Sequence, residues 1–151
     1  MTAPPRFAGQ RRLDALQRLE YEVDAWVATA GTAGSTPHLV PLSFLWDGMT
    51  MLLSTPESSP TGRNLLASGQ VRVGVGPTRD VVLIEGTATP LAAEELPPGV
   101  CDAFAARTGF DPRQESGYLY FRVAPVRIQA WREANELPGR DLMRRGEWLH
   151  A

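Results

Sequence analysis

Residues 58–63 read Ser-Ser-Pro-Thr-Gly-Arg. Hydroxyls, a proline, a glycine and an arginine in that order suit the capture of an anion at a helix N-terminus. The backbone N–H groups of Thr61 and Gly62 would face outward at the positive end of the helix dipole, ringed by the hydroxyls of Ser58, Ser59 and Thr61. Gly62 removes a side chain that would block close approach, and Arg63 adds a fork able to hold phosphate oxygens bidentately. The same residues also spell an ordinary capped helix. Ser59 serves as N-cap, Pro60 takes the first position where its missing N–H costs nothing, Leu65 and Leu66 face the core, and Gly69 ends the helix. Both readings stand at this level. A phosphate dianion recruits more than one cation, and Arg79, in the "TRD" turn, is the candidate second one.

Other reactive residue types are sparse. His38 follows a proline at a strand start and suits either a surface histidine or a cofactor contact. His150 sits next to the C-terminus and is expected to be disordered. Cys101 is the sole cysteine, so it has no disulfide partner in the chain and reads as a small apolar residue on a helix. Glu85 interrupts an apolar strand and is expected to pair with Arg72 or Arg122. Trp26, Trp46 and Trp131 lie in strands and read as core or interface packing residues, with one able to border a planar ligand ring. No Ser-His-Asp order, carboxylate pair or metal-ligand spacing occurs. All 15 cationic side chains are arginine, which excludes a lysine Schiff base or a P-loop lysine. A net charge of −2 argues against nucleic acid as a partner.

The elements that must position these residues follow from periodicity. Residues 10–20 place Leu13, Leu16 and Leu19 among charges and predict one amphipathic surface helix. From residue 23 the segments "VDAWVATA", "PHLVPLSFLW" and "MTMLLST" predict a three-strand antiparallel meander, with Pro41 demanding an edge or a bulge. After the 60–68 helix, "VRVGVG" predicts a half-exposed strand and "VVLIEGTATPL" a central one. "LPPGVCDAFAART" predicts a helix stopped at Gly109, and "YLYFRVAPVRIQAWR" a long strand bulged at Ala124-Pro125. The expected class is mainly β, one domain over residues 1–151: an antiparallel barrel decorated with short helices. Its ends, 1–9 and 141–151, are expected to be flexible or partner-contacting. No apolar run reaches the roughly 18 residues of a membrane span, and the N-terminus lacks the pattern of a secretory signal, so a cytoplasmic location is expected.

The succession "ATAGTAGSTPHLVPLSFLWDGMTMLLSTPESSPTGRNL", followed by "IEGTAT" and "AWRE", resembles the pyridoxamine 5'-phosphate oxidase-like superfamily, including its flavin- and deazaflavin (F-420)-dependent oxidoreductases. The resemblance spans about residues 10–131. It implies a six-stranded split β-barrel of the FMN-binding type, a homodimer, and two cofactor sites at the dimer interface. It further implies phosphate contacts from Ser54 and Thr55 at the end of the third strand, from Ser59, Thr61 and Arg63 at the helix start, and from His38 and Ser43 on the second strand.

Two departures bear on function. FMN binders of the family carry "S-R-K" before the helix and a basic residue late in the second strand, where this chain has Ser59-Pro60-Thr61 and Ser43. The basic, substrate-binding C-terminal segment of the pyridoxamine phosphate oxidases proper is replaced by "NELPGRDLMRRGEWLHA". The resemblance therefore implies an FMN- or F-420-dependent oxidoreductase that moves a hydride to or from a small organic substrate, with F-420 favoured because its charge is spread along a tail. The rival from another class is a non-enzymatic ligand-binding split-barrel dimer.

Overall fold

The computed structural model describes residues 2–149; His150 lies outside them. Helix α1 (Ala8–Tyr21) opens the chain, and its buried line is Arg11, Ala15 and Leu19. The predicted leucine stripe is corrected: four-residue spacing tracks the 3.6-residue turn, so Leu13, six residues before Leu19, drifts into solvent. Strand β1 (Asp24–Thr29) pairs antiparallel with β2 (His38–Ser43), and β3 (Leu45–Trp46) pairs with β4 (Met51–Pro56). Helix α2 (Pro60–Ser68) follows, then β5 (Gln70–Val75), β6 (Val81–Leu91), α3 (Val100–Thr108) and β7 (Tyr118–Trp131). Residues 141–149, expected to be a flexible or partner-contacting end, form strands β8 (Asp141–Arg144) and β9 (Glu147–Trp148), which pair as a hairpin.

The strand order is β2-β1-β5-β6-β7-β4-β3. Only Phe44 separates β2 from β3, so one bent run of chain supplies both ends of this curled sheet. Counted with that run as a single strand, the result is a six-stranded split barrel. The predicted antiparallel pairings hold, first strand to second and second to third, with a break inside the second. The second predicted strand breaks at the fully buried Phe44 and reaches β1 with one half and β4 with the other, while β4 takes β7 as its second neighbour. Pro41 sits in β2 opposite Trp26, at the edge where its missing N–H removes no ladder bond.

Inside the barrel, Val27, Phe44, Met51, Leu53, Val73 and Phe121 belong to one apolar core. Strand β7 serves it with both parities. Glu85 pairs with Arg127 and Gly86 with Pro125, which leaves Val126 as the bulged residue, just past the predicted Ala124-Pro125. Ahead of the bulge Phe121 and Val123 point inward; beyond it Ile128 and Ala130 do. The bulge also decides the partners of Glu85, which contacts Arg72 and Arg127 in place of Arg122. Outside the barrel, α3 covers β4 and β7 through a second cluster of Leu52, Leu96, Cys101, Phe104 and Tyr120.

Candidate functional site

At the junction of β4 and α2 the predicted anion cradle is closed by its own residues. Ser59 Oγ donates to Pro56 O at 2.8 Å and accepts the Gly62 N–H at 3.0 Å, and Thr55 Oγ1 lies 3.1 Å away. With its hydrogen given to Pro56, Ser59 receives the Thr55 hydroxyl and the Gly62 amide on its two lone pairs, so its bonding capacity is full. Pro60 has no N–H, and the Arg63 N–H goes to Ser59 O at 2.8 Å. Thr61 is the remaining member of the first turn, and it is 2% exposed. Gly62 is required by the packing of the turn: a Cβ there would lie 2.2 Å from Pro56 O. Arg63 is exposed, its Nη1 donating to Ser58 O at 3.0 Å.

A groove of about 270 Å³ begins at the same junction, with Pro56 and Ser54 on one wall and Pro41, Leu42 and Ser43 on the other. Phe104 and Thr108 of α3, with Phe110 and Tyr118 beyond it, complete the lining. The Phe110 and Tyr118 rings pack with centroids 5.2 Å apart. Ser43 Oγ donates to Asp24 Oδ1 at 2.6 Å, and Ser54 Oγ donates to Leu119 O at 2.9 Å. Both hydroxyl hydrogens are spent, so towards a ligand both oxygens act as acceptors. A flat, largely apolar ring with an N–H on its edge matches this arrangement.

The other predicted residues lie apart. His38 opens β2 opposite Thr29, whose hydroxyl accepts from Asn64 of α2 at 3.1 Å, so His38 stands at the flank of the helix. Arg79 belongs to the far end of the barrel, where it bonds Glu133 at 2.8 Å just past β7, whereas Thr55 pairs with Leu119 at the start of that strand. Within one chain it is not brought to Arg63. Phe104, Thr108, Phe110 and Tyr118 were missed at the sequence level, because they come from a helix and a turn whose spacing reads only as a surface helix and its stop.

A second concave region, of about 220 Å³, lies on the outer face of the sheet. Trp26 and Leu39 are 56% and 60% exposed there, beside Gly74 and Leu83. The row Arg72–Glu85–Arg127 crosses the strands next to them. Among the described residues no cluster of His, Cys, Asp or Glu could hold a metal ion, and no helix is long and apolar enough to cross a membrane.

Residues 14–132 match the family described as Pyridoxamine 5'-phosphate oxidase. No curated protein sequence matches the chain. Among solved structures, an FAD-binding protein of Mesorhizobium loti superposes with a TM-score of 0.61 at 17% identity, covering 78% of this chain and 89% of that one. A protein titled F420 Reductase gives 0.59 at 18% identity, covering 74% and 93%. The General Stress Protein 26 of Bacillus anthracis gives 0.58 at 14% identity, covering 78% and 92%. At such identities these likenesses show a shared fold.

Proposed function

The chain belongs to the pyridoxamine 5'-phosphate oxidase family, and from that premise we propose that it is a homodimeric oxidoreductase binding a flavin-type cofactor, F-420 in preference to FMN. The carrying observation is the groove, where Ser43 and Ser54 present acceptor-only oxygens between apolar and aromatic walls. Those oxygens would receive the ring's edge N–H, and Phe110 and Tyr118 would keep water from its face. Such a cofactor, when bound, carries a hydride to or from a small organic substrate. No side chain here is positioned as a nucleophile, and the chain's task is orientation and exclusion of water.

The phosphate end supports the preference for F-420 over FMN. The helix start keeps the Gly62 and Arg63 N–H groups and Ser59 Oγ for itself, which leaves the exposed Arg63 side chain as the charged group there. One arginine suits a phosphodiester whose charge continues along a tail better than the concentrated dianion of FMN. The closed helix start also favours the second reading, a ligand-binding dimer without redox chemistry. Fluorescence titration with each cofactor separates them. F-420 should bind with micromolar affinity and more tightly than FMN, and Arg63→Ala should weaken it by about 1.5 to 3 kcal/mol, roughly 10- to 150-fold. Tighter FMN binding would reverse the preference, and absence of binding by either would leave the non-enzymatic dimer.

The dimer rests on the outer sheet face. Trp26, Leu39, Gly74 and Leu83 form an apolar surface too continuous for a strand face left in water. Sedimentation should give a mass near twice 16.5 kDa, and Trp26→Glu, which would bury a charge against the partner, should give monomers. A monomeric parent at all concentrations would remove this face as an interface.

A further inference from the structure

Of the two acceptor oxygens in the groove, that of Ser54 is set by the backbone, because its hydrogen goes to Leu119 O, while that of Ser43 is set by a side chain, Asp24. Asp24 opens β1 directly opposite Ser43, the last residue of β2. Side chains directly opposite in an antiparallel pair share a face of the sheet. Next to the pair, the Phe44 N–H donates to Val23 O at 2.8 Å and fixes the backbone there. The Ser43 hydroxyl reaches Asp24 Oδ1 at 2.6 Å, the length of a charge-assisted O–H···O⁻ bond. Asp24 is not itself part of the groove, whose lining carries no charged side chain. It lines a neighbouring hollow of about 320 Å³ that shares Pro41 with the groove.

We propose that Asp24 is a positioning residue that makes the groove selective for a ring edge carrying an N–H, an inference that rests on the groove being the ring's site. By holding the Ser43 hydrogen, the carboxylate leaves only lone pairs of Oγ for the ligand, and its charge makes that oxygen a stronger acceptor. Without Asp24 the hydroxyl would rotate, and it would meet a carbonyl edge as readily as an N–H edge. Ser54 offers no such control, because its partner is a main-chain carbonyl. Asp24 acts through Ser43 and touches neither the ligand nor a reacting atom.

The test is fluorescence titration of the full chain with F-420 and with F-420 methylated at the ring-edge nitrogen. The two ligands share one tail, so the contribution of Arg63 cancels between them. Asp24→Ala should weaken F-420 about 10-fold, the scale of one hydrogen bond, and leave the methylated ligand, which has no edge hydrogen to give, unchanged. Ser43→Ala should weaken F-420 at least as much, and Asp24→Ala added to Ser43→Ala should cost nothing further, because the carboxylate acts only through that hydroxyl. Asp24 is exposed, so Asp24→Ala should keep the parent's melting temperature; should it fold poorly, Asp24→Val, a better strand former without an acceptor, should show the same loss. Equal weakening of both ligands, no weakening of either, or additive losses in the double variant would overturn the inference while the proposed function stands. A parent that binds neither ligand would remove the proposed function and this inference with it.

Discussion

Glu136→Gln will cost the protein about 3 kcal/mol at neutral pH, the scale on which breaking one side of a buried ion pair acts. Glu136 is 2% exposed and follows β7. Its carboxylate takes Nη2 and Nε of Arg6 at 2.7 and 2.9 Å, and the backbone N–H groups of Arg6 and Arg132 at 2.9 Å each. Arg6 also reaches Asp14 of α1 at 3.0 Å, while Arg11 donates to Glu136 O at 2.9 Å. The N-terminal segment, α1 and the chain beyond β7 are thus held at one buried point. The Arg6 guanidinium outweighs the cost of burial and holds the Glu136 carboxyl at about 2, below its ordinary 4.5. A carboxyl lowered in the folded state stabilises it above the unfolded value and stops doing so as pH falls through the folded one. The parent should therefore lose about 3 kcal/mol between pH 4.5 and 2 from this group. Glu136→Gln, with nothing to titrate there, should lose less over the same range, so that the two denaturation curves converge in acid. Curves that stay parallel from pH 7 to pH 2 would mean that Glu136 is not the group concerned.

Gly62→Ala should destabilise by about 2 kcal/mol, against the direction of helix propensity. Alanine in a helix interior is worth about 1 kcal/mol over glycine. Here the added Cβ would sit 2.2 Å from Pro56 O and 3.0 Å from Glu57 Cα, both backbone atoms of a turn that Glu57 N–H and Gly117 O tie to the start of β7. Overpacking of this kind costs roughly 1–3 kcal/mol, and displacing the turn also loosens the Ser59 cap, worth about 1 kcal/mol. The two costs outweigh the propensity gain. Urea denaturation without any cofactor is the deciding measurement. A stabilised variant would show that the turn yields, and would return Gly62 to the role of making room for a ligand.

The punctuation of the fold is legible in the sequence. Ser59, Pro60 and Gly69 bound α2, Gly109 ends α3, and the valines of β5 alternate inward as their spacing predicts. Closure of the barrel is not legible, because nothing in "HLVPLSFLW" marks Phe44 as the residue where one strand leaves β1 for β4. The site was legible in part. Ser43 and Ser54 are brought to one groove, but its aromatic wall comes from residues 104–118, distant in sequence and without a motif of their own. At the helix start the Ser59 hydroxyl and the Gly62 amide, which spell an anion cradle in the sequence, are bonded within the turn, and that pairing has no sequence signature of its own. Arg79 reads as a second cation until β7 separates it from Arg63.

The measurement closest to the central claim is the location of the bound ring, read from methyl and aromatic proton shifts during titration with F-420. The groove account predicts large ring-current shifts at Leu42, Thr108, Phe110 and Tyr118, which line the cavity beside Ser43 and Ser54, with Leu83 on the outer sheet face unmoved. Shifts centred on Leu39 and Leu83, with Leu42 and Thr108 unmoved, would place the ligand on the Trp26 face and contradict it.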